Sequence, residues 1–212
     1  VSNGATLRIL RLGAALAIAV ALGFQGWADL THGTFTWGQL PGYFTPLAAI
    51  AGVVALTASA LAGPSERVWL SLLRVNAATY LVIAGIVYWA VLAQHANPLF
   101  PWANAILHGG AGAILVLDWL IVGRRRRLPV STWWTVLLVP AGWAAFLLVR
   151  AARDGWVPYP FLDPARGAAA IATTLSIIAA VGLASVAVLH CATGLRVVQP
   201  ARPDLPQQEH DA

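Results

Sequence analysis

Thr45, Asn104 and His108 are the side chains of this sequence best suited to chemistry. Imidazole changes charge near neutral pH and is the commonest general base. Asn104 precedes His108 by four residues, so on a helix the two share a face one turn apart, where the amide is expected to fix the tautomer of the ring. Gly109, Gly110 and Gly112 surround that turn and let a neighbouring helix or a substrate chain approach closely. Thr45 stands before Pro46, and proline disfavours helical geometry in the residue before it while fitting the first position of a helix. That pattern reads in two ways. Either Thr45 caps a helix, or its hydroxyl lies in the positive potential of a helix N-terminus as a nucleophile whose proton a nearby histidine removes. For His108, too, an interhelical hydrogen bond without chemistry stands beside catalysis or ligand binding.

Other groupings are weaker. Ten helical residues put Asp118 about 15 Å along the axis from His108, so it does not complete a triad, and an ion pair or snorkelling contact near Arg74 is expected instead. A carboxylate behind His108 would have to come from a connection, from Asp163 or Asp29. His108 and His190 fall near opposite surfaces, which excludes bis-histidine haem ligation. The spacings of His32, His95 and His108 match no metal motif, and the single cysteine, Cys191, excludes an intrachain disulfide or a CxxC site. No metal and no cofactor are expected.

The elements that must hold these residues are membrane spans. The chain has 212 residues, 59% hydrophobic and 10% charged, with a mean hydropathy of +0.73; a soluble domain carries about 25% charged residues. Six apolar runs reach spanning length: Leu7 to Ala28, Phe44 to Ala62, Val68 to Ala93, Ala103 to Val122, Trp133 to Val149 and Ala168 to His190. The expected fold is an all-α integral membrane protein with six transmembrane helices over residues 1–196. The Pro- and Gln-containing segment 197–212 is expected to be a disordered cytoplasmic tail. Arg8 and Arg11 before an apolar stretch ending in Gly26-Trp27-Ala28 also resemble a secretory signal, the rival reading of span 1.

Orientation follows from arginine, the chain's only basic residue besides histidine. Arg8, Arg11, Arg67, the run Arg124 to Arg127, Arg196 and Arg202 all fall on one side, and connections 1–2 and 3–4 contain no Arg or Lys. Both termini are therefore expected in the cytoplasm. Arg150, Arg153 and Arg166 lie on the other side, beside Asp154 and Asp163. The net charge of +5 records membrane orientation rather than a nucleic-acid partner, since a basic groove needs a polar surface that this composition lacks.

Trp102-Ala103-Asn104-Ala105-Ile106-Leu107-His108, Asp118-Trp119 and the segment Gly155-Trp156-Val157-Pro158-Tyr159-Pro160-Phe161-Leu162-Asp163 resemble the signature segments of the androgen-induced gene 1 family of six-span membrane proteins. The Tyr43-Phe44-Thr45 step is similar to the same family's motif, and the resemblance runs from span 2 to span 6. It implies a membrane threonine hydrolase acting on fatty acid esters of hydroxy fatty acids or similar acyl lipids, with Thr45 as nucleophile and His108 as base. It also implies an uncleaved first span and a bacterial plasma-membrane location. Asn104 is the expected supporting residue, and Arg150, Arg153 and Asp163 are the expected substrate contacts. The expected partner is a lipid within the bilayer.

One departure sustains a second expectation. After Thr45 the chain reads Pro46-Leu47-Ala48-Ala49, where bacterial relatives carry a polar Gln-Ser-Asn stretch, so a non-catalytic lipid- or small-molecule-binding membrane protein is the alternative. A transporter is disfavoured, because the sequence has no internal repeat and no pair of broken helices near the midplane.

Overall fold

A computed structural model describes residues 3–33, 37–62, 67–121 and 128–192. The arginine run from Arg124 to Arg127, Arg196, Arg202 and the 197–212 tail lie outside the described residues. The described residues are all-helical, with six helices long and apolar enough to cross a membrane. A helix satisfies its backbone hydrogen bonds internally, which is what hydrocarbon requires of a continuous apolar run. The spans are Gly4–Thr31, Phe44–Leu61, Val68–His95, Pro101–Ile121, Val130–Asp154 and Ala168–Cys191.

The widest departure from the apolar-run boundaries is in span 5. It opens with a 3-10 segment, Val130–Leu137, and continues as α-helix to Asp154. Charge ends the apolar run at Arg150, but the helix goes on through an exposed last turn until Gly155 terminates it at φ 70°, a left-handed conformation that glycine adopts without steric cost.

Span 3 is the centre of the bundle. Half of its most apolar window is buried, against 17% for span 6, and it packs against spans 2, 4, 5 and 6. Span 1 closes a four-helix group by touching both span 2 and span 4, while spans 5 and 6 pair with each other on the far side of span 3. Small residues set the close approaches. Ala48 and Ala49 of span 2 and Ala77 and Ala78 of span 3 are fully buried, and Gly112 of span 4 lies against the backbone of Leu81, as expected where dispersion between close backbones drives association.

Connections 1–2, 3–4 and 5–6 share one end of the bundle. Phe24 and Trp27 of span 1 pack there against Phe100 and Trp102, and Tyr159 reaches the start of span 2. The opposite end is tied by charge. Asp118 Oδ2 lies 2.6 Å from an Arg74 nitrogen and Asp118 Oδ1 lies 2.7 Å from Arg11 Nε, while another Arg11 nitrogen donates to the Ser59 carbonyl at 2.9 Å. One carboxylate thus joins spans 1, 3 and 4, and Arg11 extends the tie to span 2. Arg11 is 9% exposed, so it is an internal ion partner as well as a basic residue at the span's edge.

Removing one member of a buried ion group leaves the others uncompensated, at a cost of roughly 3–5 kcal/mol. Asp118→Asn is therefore expected to lower the denaturant midpoint of the detergent-solubilised protein by an amount of that order. A midpoint equal to wild type would show that the two arginines need no carboxylate.

Candidate functional site

The site is assembled where span 2 begins. Tyr43 is the N-cap, with extended backbone (φ −96°, ψ 122°) and no side-chain cap. Thr45 is accordingly the second helical residue rather than the cap, and the capping expectation is corrected. Pro46 then falls in the first turn, where its missing N–H removes no intrahelical bond and its ring meets no preceding helical carbonyl. The Gly42 carbonyl, four residues before Pro46, accepts instead from Trp143 Nε1 at 3.1 Å. Gly42 has no room for a side chain, because a Cβ there would run into the Trp156 ring.

A helix start leaves its first N–H groups without intrahelical acceptors. Here the Tyr43 N–H donates to the Leu40 carbonyl at 3.2 Å, the Phe44 N–H donates to the Tyr159 hydroxyl oxygen at 2.9 Å, and Pro46 has no N–H. Among the described residues no acceptor is seen for the Thr45 N–H. Tyr159 is buried, which pushes its phenol above the usual value, so it remains a neutral hydroxyl.

Span 4 delivers His108. Pro101 opens the span, and the helix widens into a π turn over Ile106–Gly110 before resuming at Ala111. Span 3 carries a second π turn, Tyr88–Leu92, beside it. Such turns mark places where side chains are re-aimed within a helix. Trp89 Nε1 donates to the His108 carbonyl at 2.9 Å, and a Cβ on Gly85 would come within 2.8 Å of that same carbonyl oxygen. The Tyr88 ring stacks on the imidazole with centroids 3.8 Å apart.

The two residues meet: Thr45 Oγ1 is 3.1 Å from His108 Nε2. On the other side of the ring, Nδ1 is 3.1 Å from the backbone carbonyl of Asn104. A carbonyl only accepts, so Nδ1 carries the hydrogen, and in the neutral imidazole Nε2 presents a lone pair to the threonine hydroxyl. This is the tautomer a general base needs. The Asn104 main chain sets it, rather than the expected amide. The amide nitrogen donates to the Tyr88 hydroxyl oxygen at 2.8 Å and so positions the ring that stacks on His108. Tyr88 and Trp89 were not legible in the sequence as parts of the site.

Thr45 and His108 lie on the wall of a cleft of about 880 Å³. Leu22, Ile50, Val53 and Val54 give it apolar wall, and Gln25, Asp29, Asn97 and Tyr43 supply polar groups. The remaining expected residues lie elsewhere. Arg150 pairs with Asp154 at 2.7 Å and lies over the Trp156 ring at 4.5 Å. Arg153 is exposed. Asp163 accepts from the Ala165 N–H at 2.8 Å and starts the short turn Pro164–Arg166. None of the three lines the cleft. Asp118 sits at the other end of the bundle in its ion group.

Because the contact at Gly85 is with backbone, Gly85→Ala is expected to force spans 3 and 4 apart at His108 and to destabilise by about 1–3 kcal/mol. Gly109→Ala, whose Cβ would meet nothing within 4 Å, is the control and should unfold close to wild type. Equal midpoints for the two variants would refute the close approach. Tyr159→Phe removes the acceptor of the Phe44 N–H and is expected to lower stability by about 1–3 kcal/mol, read as a reduced unfolding midpoint.

Comparison of the chain with protein-family models, with curated proteins and with solved structures returned no match.

Proposed function

We propose that the protein is a membrane hydrolase of lipid esters in which Thr45 is the nucleophile and His108 the base. The observation that carries this reading is the 3.1 Å contact from Thr45 Oγ1 to His108 Nε2, with Nδ1 held on the Asn104 carbonyl, at the wall of an apolar cleft. An alcohol is a weak nucleophile until an adjacent base takes its proton, and the N-terminal end of span 2 adds positive potential where an alkoxide would form.

The reaction is then set by the groups in place. Thr45 Oγ1 attacks the ester carbonyl carbon as its proton passes to His108 Nε2. The carbonyl π electrons move to oxygen, and the Thr45 N–H faces that oxyanion. Collapse breaks the ester C–O bond, and the departing alkoxide takes the proton from His108. Water, deprotonated by the same imidazole, attacks the acyl-threonine and releases the carboxylic acid with Thr45 restored.

The resemblance to the androgen-induced gene 1 family supports the same pair and points to fatty acid esters of hydroxy fatty acids or related acyl lipids. Arg8 and Arg67, at the end of the bundle away from the site, support cytoplasmic termini and an external site in a bacterial plasma membrane. A second reading, a lipid-binding protein without turnover, is favoured by the apolar stretch after Thr45, where Ala48 and Ala49 are wholly used in packing.

The test is a fluorophosphonate label on the purified protein. Wild type is expected to be labelled at Thr45, and Thr45→Ala and His108→Ala, each shown to be folded, are expected to lose labelling and at least about 100-fold in ester turnover. Labelling that persists in both variants would overturn the mechanism. Tight lipid retention with no turnover in wild type would favour the second reading.

A further inference from the structure

Pro158 and Pro160 flank Tyr159, and a residue before proline keeps extended backbone. Tyr159 accordingly sits at φ −119°, ψ 114° and opens the short turn Pro160–Leu162. Its ring packs against Trp143 and Phe161, with centroids 5.4 and 5.2 Å away, and the residue is 7% exposed. A phenol oxygen both accepts and donates. This one accepts from the Phe44 N–H at 2.9 Å, and among the described residues no acceptor is seen for its own hydrogen. Burial raises the phenol above its usual value, so that hydrogen stays in place at neutral pH.

The hydroxyl also lies at the reacting end of the site. The N–H groups of a first helical turn point out of the helix end in one direction. The Tyr159 oxygen marks where the Phe44 N–H points, and the Thr45 N–H is the next donor of the same turn. Thr45, Tyr159 and His108 all line the one cleft. An oxygen that gains negative charge beside Thr45 therefore meets two donors, a main-chain N–H and a phenol, in surroundings where a hydrogen bond to an anion is strong.

We propose that the Tyr159 hydroxyl joins the Thr45 N–H as the oxyanion hole of this site, which makes the phenol a third catalytic group beside Thr45 and His108. The assignment rests on the hydrolase reading. As Thr45 Oγ1 bonds to the ester carbon and its proton passes to His108, the carbonyl oxygen becomes an alkoxide that accepts one hydrogen bond from the phenol and one from the N–H. The phenol keeps its proton throughout, and the same two donors serve the second alkoxide, formed when water attacks the acyl-threonine. Connection 5–6 then takes part through Tyr159, not through the expected Asp163.

Two changes to the full chain in phosphatidylcholine nanodiscs separate the two roles of the hydroxyl. Tyr159→Phe removes both the acceptor of the Phe44 N–H and the proposed donor. Replacing the Phe44 amide by an ester, through nonsense suppression with the α-hydroxy acid, removes the Phe44 N–H alone and leaves the Tyr159 hydroxyl. Both chains are expected to unfold earlier than wild type. Assayed below those midpoints, Tyr159→Phe is expected to lose at least about 100-fold in kcat on a long-chain acyl ester, with KM within about threefold of wild type. It is expected to lose a similar factor in affinity for the matching trifluoromethyl ketone, whose adduct with Thr45 carries the oxyanion. The chain with the ester at Phe44 is expected to keep kcat and ketone affinity within about threefold of wild type.

Wild-type kcat in Tyr159→Phe, with Thr45→Ala inactive, overturns the role of the phenol and keeps the hydrolase. Equal losses in the two altered chains overturn it as well, since the hydroxyl then acts only by holding the start of span 2. Wild type without turnover that depends on Thr45 defeats the hydrolase reading, and the phenol's role with it.

Discussion

Hydrocarbon offers no partner to a backbone donor or acceptor, and each one left bare there costs several kcal/mol. Three irregularities near Thr45 and His108 are closed under that constraint, the Thr45 N–H being the exception. Pro46 donates nothing to the Gly42 carbonyl, and Trp143 donates to it instead. The Phe44 N–H at the helix start finds the Tyr159 hydroxyl. At the π turn of span 4, the His108 carbonyl finds the Trp89 indole. Each repair comes from a different span or connection, so the geometry at the start of span 2 and in the second turn of span 4 is fixed by elements other than those two helices. The short Thr45 to His108 contact is a result of that closure rather than of either helix alone.

The same constraint explains the partner of the imidazole. A buried carboxylate behind His108 would need its own set of donors; a main-chain carbonyl of the same helix, one turn earlier, is already present. It orients Nδ1–H without introducing a charge. It stabilises an imidazolium less than a carboxylate would. The aromatic face of Tyr88 holds the ring plane, and Asn104 holds Tyr88, so one asparagine serves the histidine twice, through its main chain and through its amide.

Much of this was legible in the sequence because it depends on counting. Continuous apolar runs place six spans, and parity alone puts Thr45 and His108 at the same end. The ten-residue separation excludes Asp118 from the pair and sends it toward Arg74. What counting cannot give is a change of helical phase. The π turns over Tyr88–Leu92 and Ile106–Gly110 each insert a residue into the helical repeat, which rotates one part of the helix against the other and brings Tyr88 and Trp89 onto His108; an ideal repeat of 3.6 residues has no signature for them. Arg11 was legible as a topological charge but not as an ion partner, since its match to Asp118 is across 107 residues. Arg150 looked anomalous for want of its local context: Asp154 one turn later and Trp156 after the left-handed Gly155 satisfy it at the end of its own span.

Charge is therefore distributed by local pairing as well as by side. At one end two buried arginines share the Asp118 carboxylate among four spans. At the other, Arg150 of span 5 pairs with its own neighbour Asp154, and Asp29 is the one acid among the described residues that line the cleft. A cavity that binds a long acyl chain gains most of its affinity from apolar contact, which every acyl lipid offers equally; such contact sets how strongly lipids bind but not which. Discrimination has to come from the few groups that differ between lipids, the heads, and hence from the few polar side chains that meet them. Beside Thr45 and His108, the polar side chains on the described wall of this cleft include Gln25, Asp29, Tyr43 and Asn97, and under the proposed hydrolase reading any choice among lipids falls to groups of that kind.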